Sequence, residues 1–175
     1  MSDPHGQLLE IFDRTAPRLH ALLFRITLDE HVAEDLLQDL FVKLSQSDAF
    51  RRADDADAYV VRSAANLAFD WRRRHRAAAV SLDAAGEPPV ADAAVADALA
   101  NREQYSTLLD ALATMPEASR EILAMRFFDQ QGYAAIGAHL NKSAHQARAL
   151  CHKAIKRLRA IVSPPLASEQ SEARP

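Results

Sequence analysis

Glycine is scarce in this chain of 175 residues, with only 4 in all. That argues against an all-β architecture, whose tight hairpins lean on glycine-dependent turns. A single cysteine, Cys151, excludes an internal disulfide and falls short of any cysteine-based zinc site. No run approaches about 18 apolar residues, the length a spanning helix needs, so no membrane insertion is expected. The N-terminus lacks the basic-then-apolar pattern of a signal peptide, and a reducing, cytoplasmic setting is the expectation. Signatures of catalysis are missing too: there is no HExxH, no glycine-rich phosphate loop and no nucleophile elbow. His139, His145 and His152 stand six and seven residues apart, not the three or four that place two ligands on one helix face. Cys151 and His152 are neighbours and point about 100° apart on a helix, so they form no catalytic pair. The phase of Cys151 assigns it to a core. No catalytic residue, metal or cofactor is expected.

What is present favours helices. Hydrophobic residues make up 49% and charged residues 26%, enough apolar material for a core. Alanine, leucine and arginine, all strong helix formers, dominate. Apolar positions at helical spacing predict a first helix over Leu8–Phe24, adjusted near Pro17, and a second after a capping Asp29. The second carries Val32, Leu36, Leu37, Leu40, Phe41 and Leu44 on one face and Glu34, Asp35, Gln38 and Asp39 on the other. Residues Arg51–Asp57 read as a loop. A third helix runs from about Ala58 to Arg76, small and apolar first, arginine-rich at its end.

Residues 77–101 change character: alanines, aspartates, Gly86, Pro88 and Pro89 mark a linker with a helical turn near Ala93–Leu99. Beyond it, helices are predicted through Tyr105–Leu112 and from Pro116 through Ile122, Leu123 and Phe127, with Gly132 breaking the chain. A short helix Tyr133–Leu140, a tight turn Asn141–Ser143 and a long basic helix from Ala144 to about Val162 complete a helix-turn-helix. The stripe Ala147, Leu150, Cys151, Ala154, Ile155, Leu158 and Val162 is its expected buried side. The expected fold is all-α: a helical domain over 1–76, a linker over 77–101, a helix-turn-helix domain over 102–162 and a tail over 163–175 without regular structure.

Charge divides the same way. Residues 1–50 hold nine acids and four Lys/Arg, whereas 71–76 hold four arginines and 142–159 six Lys/Arg, with no acid in either block. Two basic blocks in an acidic chain point to two phosphate-facing surfaces. At the start of the long helix Ala144, His145, Gln146 and Arg148 sit where base edges are reached. Gln146 suits adenine and Arg148 guanine or phosphate. His152, Lys153, Lys156, Arg157 and Arg159 suit the backbone. Asn66 lies on the same helix as Arg72, Arg73, Arg74 and Arg76, so an amide able to read a base stands beside phosphate-holding arginines. The acidic face around Asp35, Gln38 and Asp39 is either a solvated face or a protein-docking surface.

Ala33-Glu34-Asp35-Leu36-Leu37-Gln38-Asp39-Leu40-Phe41-Val42-Lys43-Leu44 resembles the polymerase-docking helix of the extracytoplasmic-function sigma factors, the smallest members of the sigma-70-type family. Tyr59–Asp70 followed by Arg72–Arg76 resembles the family's promoter-melting helix. Leu112, Pro116, Arg120-Glu121-Ile122-Leu123 and Arg126-Phe127 resemble the start of its sigma-four domain, and Leu140–Arg159 its recognition helix. The resemblance covers Leu8–Arg76 and Tyr105–Ile161. It implies a sigma-two-like and a sigma-four-like domain, and RNA polymerase core (beta-prime clamp helices and beta flap) and promoter DNA as partners. Asp35, Gln38 and Asp39 would then bind polymerase. Arg62, Asn66, Arg72, Arg73, Arg74 and Arg76, with the preceding loop, would hold the minus-ten element. Ala144, His145, Gln146, Arg148, His152 and Lys153 would face the minus-thirty-five element. An anti-sigma protein wedged between the domains is a common regulator in the family.

The chain departs from the family pattern in places. Tyr59 stands where a Trp is frequent, and Ala65 replaces an arginine before Asn66, weakening one expected phosphate contact. Asn141 replaces the turn glycine. Ala144-His145-Gln146-Ala147 replaces a stretch close to Glu-Gly-Thr-Val, which implies an unusual minus-thirty-five target or a weakened reading there. Two rivals remain at this point. A stand-alone helix-turn-helix regulator leaves Ala33–Leu44 unexplained, and a helical enzyme or metal-binding module lacks a motif.

Overall fold

In a computed structural model of the chain, the described residues are 4–80 and 93–163. The middle of the expected linker and the tail from 164 on lie outside them. The described residues are built from helices and contain no β-strand, in line with the all-α expectation. Four helices form the first bundle: α1 (Pro4–Thr27), α2 (Glu30–Ser45), the single turn α3 (Asp48–Arg51) and α4 (Ala56–Val80). The second contains α5 (Ala93–Thr114), α6 (Glu117–Leu123) running into a π-helical turn at Ala124–Phe128, α7 (Tyr133–His139) and α8 (Ala144–Val162).

The first bundle follows its apolar spacing. Leu8, Ile11, Leu19, Leu22, Leu23 and Ile26 of α1 are all buried and lie on one face of the helix. The chain turns at Leu28, whose φ of 64° ends α1. Asp29 then caps α2, its side chain accepting from the Val32 N–H at 3.1 Å. Ala33, Leu36, Leu40 and Leu44 give α2 one buried stripe, and Phe12 and Phe41 meet edge-on at 5.1 Å. The small residues Ala64, Ala65 and Ala68 bury the first half of α4 and let it lie close to α1 and α2. The segment Arg51–Asp57 is not all loop. Arg51 closes α3, and α4 already starts at Ala56 because Asp55 accepts from the Ala58 N–H at 2.9 Å. Helix α4 also continues to Val80, and α5 begins at Ala93, so helix extends into both ends of the expected linker.

In the second bundle the helix-turn-helix forms over the expected residues. The turn uses Asn141 at φ 52°, the left-handed geometry that asparagine accepts in place of glycine. Ser143 and Gln146 form a reciprocal capping box that starts α8. Gly137 is the less obvious requirement: a Cβ there would stand 2.6 Å from the Lys142 carbonyl oxygen. The break before α7 includes Gly132, as expected, in extended backbone at φ −74°, and the positive φ falls at Gln130 (56°). Two expectations are corrected. Phe127 is 52% exposed, because the π turn adds a residue per turn and swings Phe128 inward instead. Leu150 and Val162 are exposed, and the buried positions of α8 narrow to Ala147, Cys151 and Ala154.

The two bundles share one continuous core. Phe69 of α4 meets Phe128 edge-on at 6.1 Å, and Tyr105 of α5 donates its hydroxyl to the Arg25 carbonyl of α1 (3.1 Å).

Two outcomes are expected. Gly137→Ala gains helix propensity of up to about 1 kcal/mol but drives a methyl into backbone. Net destabilisation of about 1–3 kcal/mol is expected from urea denaturation, and an unchanged midpoint would refute the close approach. Burial pushes the Cys151 thiol above its ordinary 9.0, outweighing the Tyr133 hydrogen bond and the Arg126 charge that lower it. The unfolded thiol therefore loses its proton first, and the stability tied to the folded thiol is present below that range and lost as pH rises through it. The stability advantage of wild type over Cys151→Ala should shrink between about pH 8 and 10, as urea titrations at each pH would reveal.

Candidate functional site

Three surfaces carry the residues singled out by the sequence. The first is the outer face of α2. With Leu36 and Leu40 turned into the core, Asp35, Gln38 and Asp39 are exposed on the opposite side beside Glu34. None of these four has a hydrogen-bond or ion-pair partner in its side chain among the described residues. Beside them Phe12, Leu37, Phe41 and Val42 line a shallow apolar depression, so the acids flank a strip of uncovered hydrocarbon. An acidic rim around an apolar strip is suited to a protein partner and repels nucleic acid.

The second surface is α4, where Arg62, Asn66 and Asp70 follow at four-residue intervals and form one stripe. Before it lies a polar cleft of about 310 Å³, lined by Arg52, Asp54, Asp55, Tyr59 and Arg62 from the first bundle and by Ala138, His139 and Asn141 from the second. The Arg62 guanidinium lies over the Tyr59 ring, 5.7 Å from its centroid. Asn66 is half-buried, and its amide donates to Glu117 Oε1 (3.1 Å) and Glu121 Oε1 (3.2 Å) of α6. Asp70 pairs with Arg73 on its own helix at 3.2 Å and with the buried Arg120 of α6 at 3.5 Å.

The arginines expected to act together are divided by the fold. Arg73, Arg74 and Arg76 are exposed. Arg72 is 7% exposed and points between the bundles. Its Nε donates to Asp110 Oδ1 (2.7 Å), its Nη1 to the Ile26 carbonyl (3.0 Å) and its Nη2 to the Ser106 carbonyl (3.0 Å) and hydroxyl (2.5 Å). Such a guanidinium is held as a structural cation in this arrangement, with Arg76 reaching the same Asp110 at 4.0 Å.

The third surface is α8. Ala144, His145, Arg148, His152 and Lys153 are all exposed on its outer side. Gln146 is exposed as well, but its Oε1 accepts from the Ser143 N–H at 2.9 Å, so the side chain is engaged in starting the helix. Lys142, Arg148, Lys153, Lys156, Arg157 and Arg159 have no acidic partner among the described residues, which leaves their field uncompensated. On the other side of α8 an apolar groove of about 510 Å³ runs between Tyr105, Leu108, Leu112, Phe127, Ile155 and Leu158, with Arg25 and Arg159 at its rim. No sequence signal marks this groove, because Phe127 reaches it only through the π turn. The acids that engage α4 escape sequence reasoning as well. Glu117 and Glu121 form an i, i+4 pair visible in the sequence, but nothing local names their partner.

No described helix is long and apolar enough to cross a membrane. Comparison with known proteins places both bundles. Residues 11–78 match the model for Sigma-70 region 2, and residues 111–160 that for Sigma-70, region 4. An RNA polymerase sigma-E factor of Streptomyces avermitilis is 28% identical over 159 residues, covering 89% of this chain and 86% of the relative. The protein of the same description from Streptomyces coelicolor is 27% identical over 158 residues, covering 88% and 86%. A stand-alone helix-turn-helix regulator accounts for α7 and α8 but not for the match of α1–α4 to region 2. The docking-helix motif, the melting-helix motif and the recognition helix thus fall in their family order on two matched regions, and the chain belongs to the sigma-70 family as an RNA polymerase sigma factor of the extracytoplasmic-function type.

Proposed function

We propose a division of labour for promoter recognition and transcription initiation. Helix α2 docks the chain on the beta-prime clamp helices of the polymerase core through Asp35, Gln38 and Asp39, with the apolar strip beside them. Helix α4 works on the minus-ten element: Asn66, with Arg62 and the segment Arg51–Asp57, holds an unstacked base of the non-template strand, and Arg73, Arg74 and Arg76 hold phosphates. Arg72 joins them only when it leaves its partners on α1 and α5. Helix α8 enters the duplex upstream with His145, Arg148, His152 and Lys153, while Ala144 and Gln146 set the close approach of its N-terminus. The apolar groove behind α8 is assigned to the beta flap, since it offers uncovered hydrocarbon with the cations Arg25 and Arg159 at its edge, the surface an amphipathic helix takes. The chain itself performs no covalent step and needs no cofactor. The cytoplasm follows as its place of work, and an anti-sigma protein seated between the bundles would be its regulator.

The observation that carries this reading is the opposition of surfaces. An unpaired acidic face on α2 and an acid-free, unpaired cationic face on α8 lie on separate bundles, each suited to a different partner. Unstacking a base costs a few kcal/mol, which pocket and phosphate contacts offset.

The test is an abortive-transcription assay with bacterial core polymerase and a pool of upstream genomic fragments. Wild type should give product. Asp39→Arg should lower it at least about tenfold, or 1.4 kcal/mol, by setting a cation against a surface selected for acids. Asn66→Ala should lower product to a similar degree while leaving co-purification with core intact. Product undiminished in Asp39→Arg would remove α2 from the docking role, and product undiminished in Asn66→Ala would remove α4 from the minus-ten role.

A further inference from the structure

We propose that segment 164–172, which follows directly on α8, folds back into the apolar groove behind that helix and fills it in the free chain. Leu166 is its apolar anchor, and Glu169 and Glu172 face the rim cations Arg25 and Arg159. The docking stands on the groove and on the residues of the segment; its consequence for transcription rests on the assignment of the groove to the beta flap. Phe127 and Val162, which both line the groove, are 52% and 41% exposed. Phe127 is held there by the π turn Ala124–Phe128, a rare geometry found mostly where it serves a function. Uncovered hydrocarbon of this kind favours an occupant. The groove also reaches the very end of α8, since Val162 and Ser163 are part of its wall. Ser163 has already left helical geometry, with φ −128° and ψ 78°. The segment that follows is therefore tethered at the edge of the groove.

Its residues suit the place. Pro164 and Pro165 lack the N–H that a helix needs, so they end α8 and favour an extended path. At about 3.1 Å per residue, Leu166 stands about 9 Å of chain beyond Ser163. Along α8, at about 1.5 Å per residue, Leu158 stands about 7.5 Å and Ile155 about 12 Å before Ser163. A chain running back beside the helix thus brings Leu166 level with Leu158 and Ile155, which both line the groove. Leu166 is the only large apolar residue from Pro164 to Pro175. No acid occurs from 130 to 168, and Glu169 and Glu172 then follow in close succession. Their charge is complementary to the rim. Arg25 donates to the Phe128 carbonyl, and neither it nor Arg159 pairs with an acid among the described residues. A short tether holds the segment at an effective concentration on the order of millimolar, so contacts too weak to hold a free peptide keep the groove filled. A partner of the groove must displace the segment, and its apparent affinity falls with the fraction of grooves that stand open. His145, Arg148, His152 and Lys153 lie on the other side of α8 and stay exposed, so the restraint acts on the flap contact and not on the reading of duplex.

The test uses the full chain and the fluorescence of 1-anilinonaphthalene-8-sulfonate, an apolar anion matched to the groove. Leu166→Asp should raise the bound dye several-fold over wild type, and adding Phe127→Asp should abolish the rise. Glu169→Gln/Glu172→Gln, which weakens only the charged contacts, should give a smaller rise. The same proteins are titrated with the isolated beta flap domain of bacterial polymerase, which Leu166→Asp should bind about tenfold tighter than wild type. Dye binding unchanged by Leu166→Asp would overturn the docked segment. Unchanged dye binding with tighter duplex binding by Glu169→Gln/Glu172→Gln would overturn it in favour of a segment lying on the outer, cationic face of α8. A rise in dye without any gain for the flap would uphold the docked segment and overturn the assignment of the groove to the flap.

Discussion

A guanidinium withdrawn from water must have its donors matched, and the way Arg72 meets that demand determines how the whole molecule is put together. Its four hydrogen bonds reach the end of α1 through Ile26 and α5 through Ser106 and Asp110. Two helices, α1 and α5, therefore have to converge on one point of α4. Removing one partner of such a buried pair costs about 3–5 kcal/mol, because the remaining charge is left stranded. Lysine could not replace it, since a single ammonium has no planar fork to reach three directions. Neighbouring contacts follow the same seam: Arg25 donates to the Phe128 carbonyl at 3.1 Å, and Arg18 reaches Asp129 across it at 2.7 Å.

Part of that seam lies between the two regions that define the family. Ser106 and Asp110 lie ahead of residue 111, where the match to region 4 begins, and after residue 78, where region 2 ends. The two regions carry the surfaces for polymerase and promoter. The helix that links them, α5, supplies the partners that hold Arg72 between the bundles. Glu117 and Glu121 of α6 add a second contact across the seam, to Asn66.

Much of this was legible in the residues. The spacing of Leu36, Leu40 and Leu44 forces Asp35 and Asp39 outward, and Asp29 marks the start of their helix; both features depend only on local geometry. The helix-turn-helix was legible because Asn141 tolerates a positive φ and Ser143 caps the long helix after it. Two of the differences arise from distance along the chain. Arg72 looks like one member of a run of arginines, and only Asp110 and Ser106, more than thirty positions away, separate it from Arg73 and Arg74. Phe127 looks like core until a π turn, stabilised by Phe128 against Phe69, rotates it out. Gln146 looks like a base reader, yet its phase relative to Ser143 fits the capping box equally well, and helix initiation uses it.

The capping box has a consequence for how this chain could change over generations. Position 146 answers to the backbone of Ser143, and position 147 is sealed in the core. Substitutions there are filtered by folding before any promoter is met. His145, Arg148, Ala149 and His152 touch nothing that folding needs, and changes at such surface sites are usually within about 0.5 kcal/mol. On the proposed reading of α8, divergence in target sequence has a short list of inexpensive positions, and two copies of this gene could come to serve different promoters while their helices stayed superimposable.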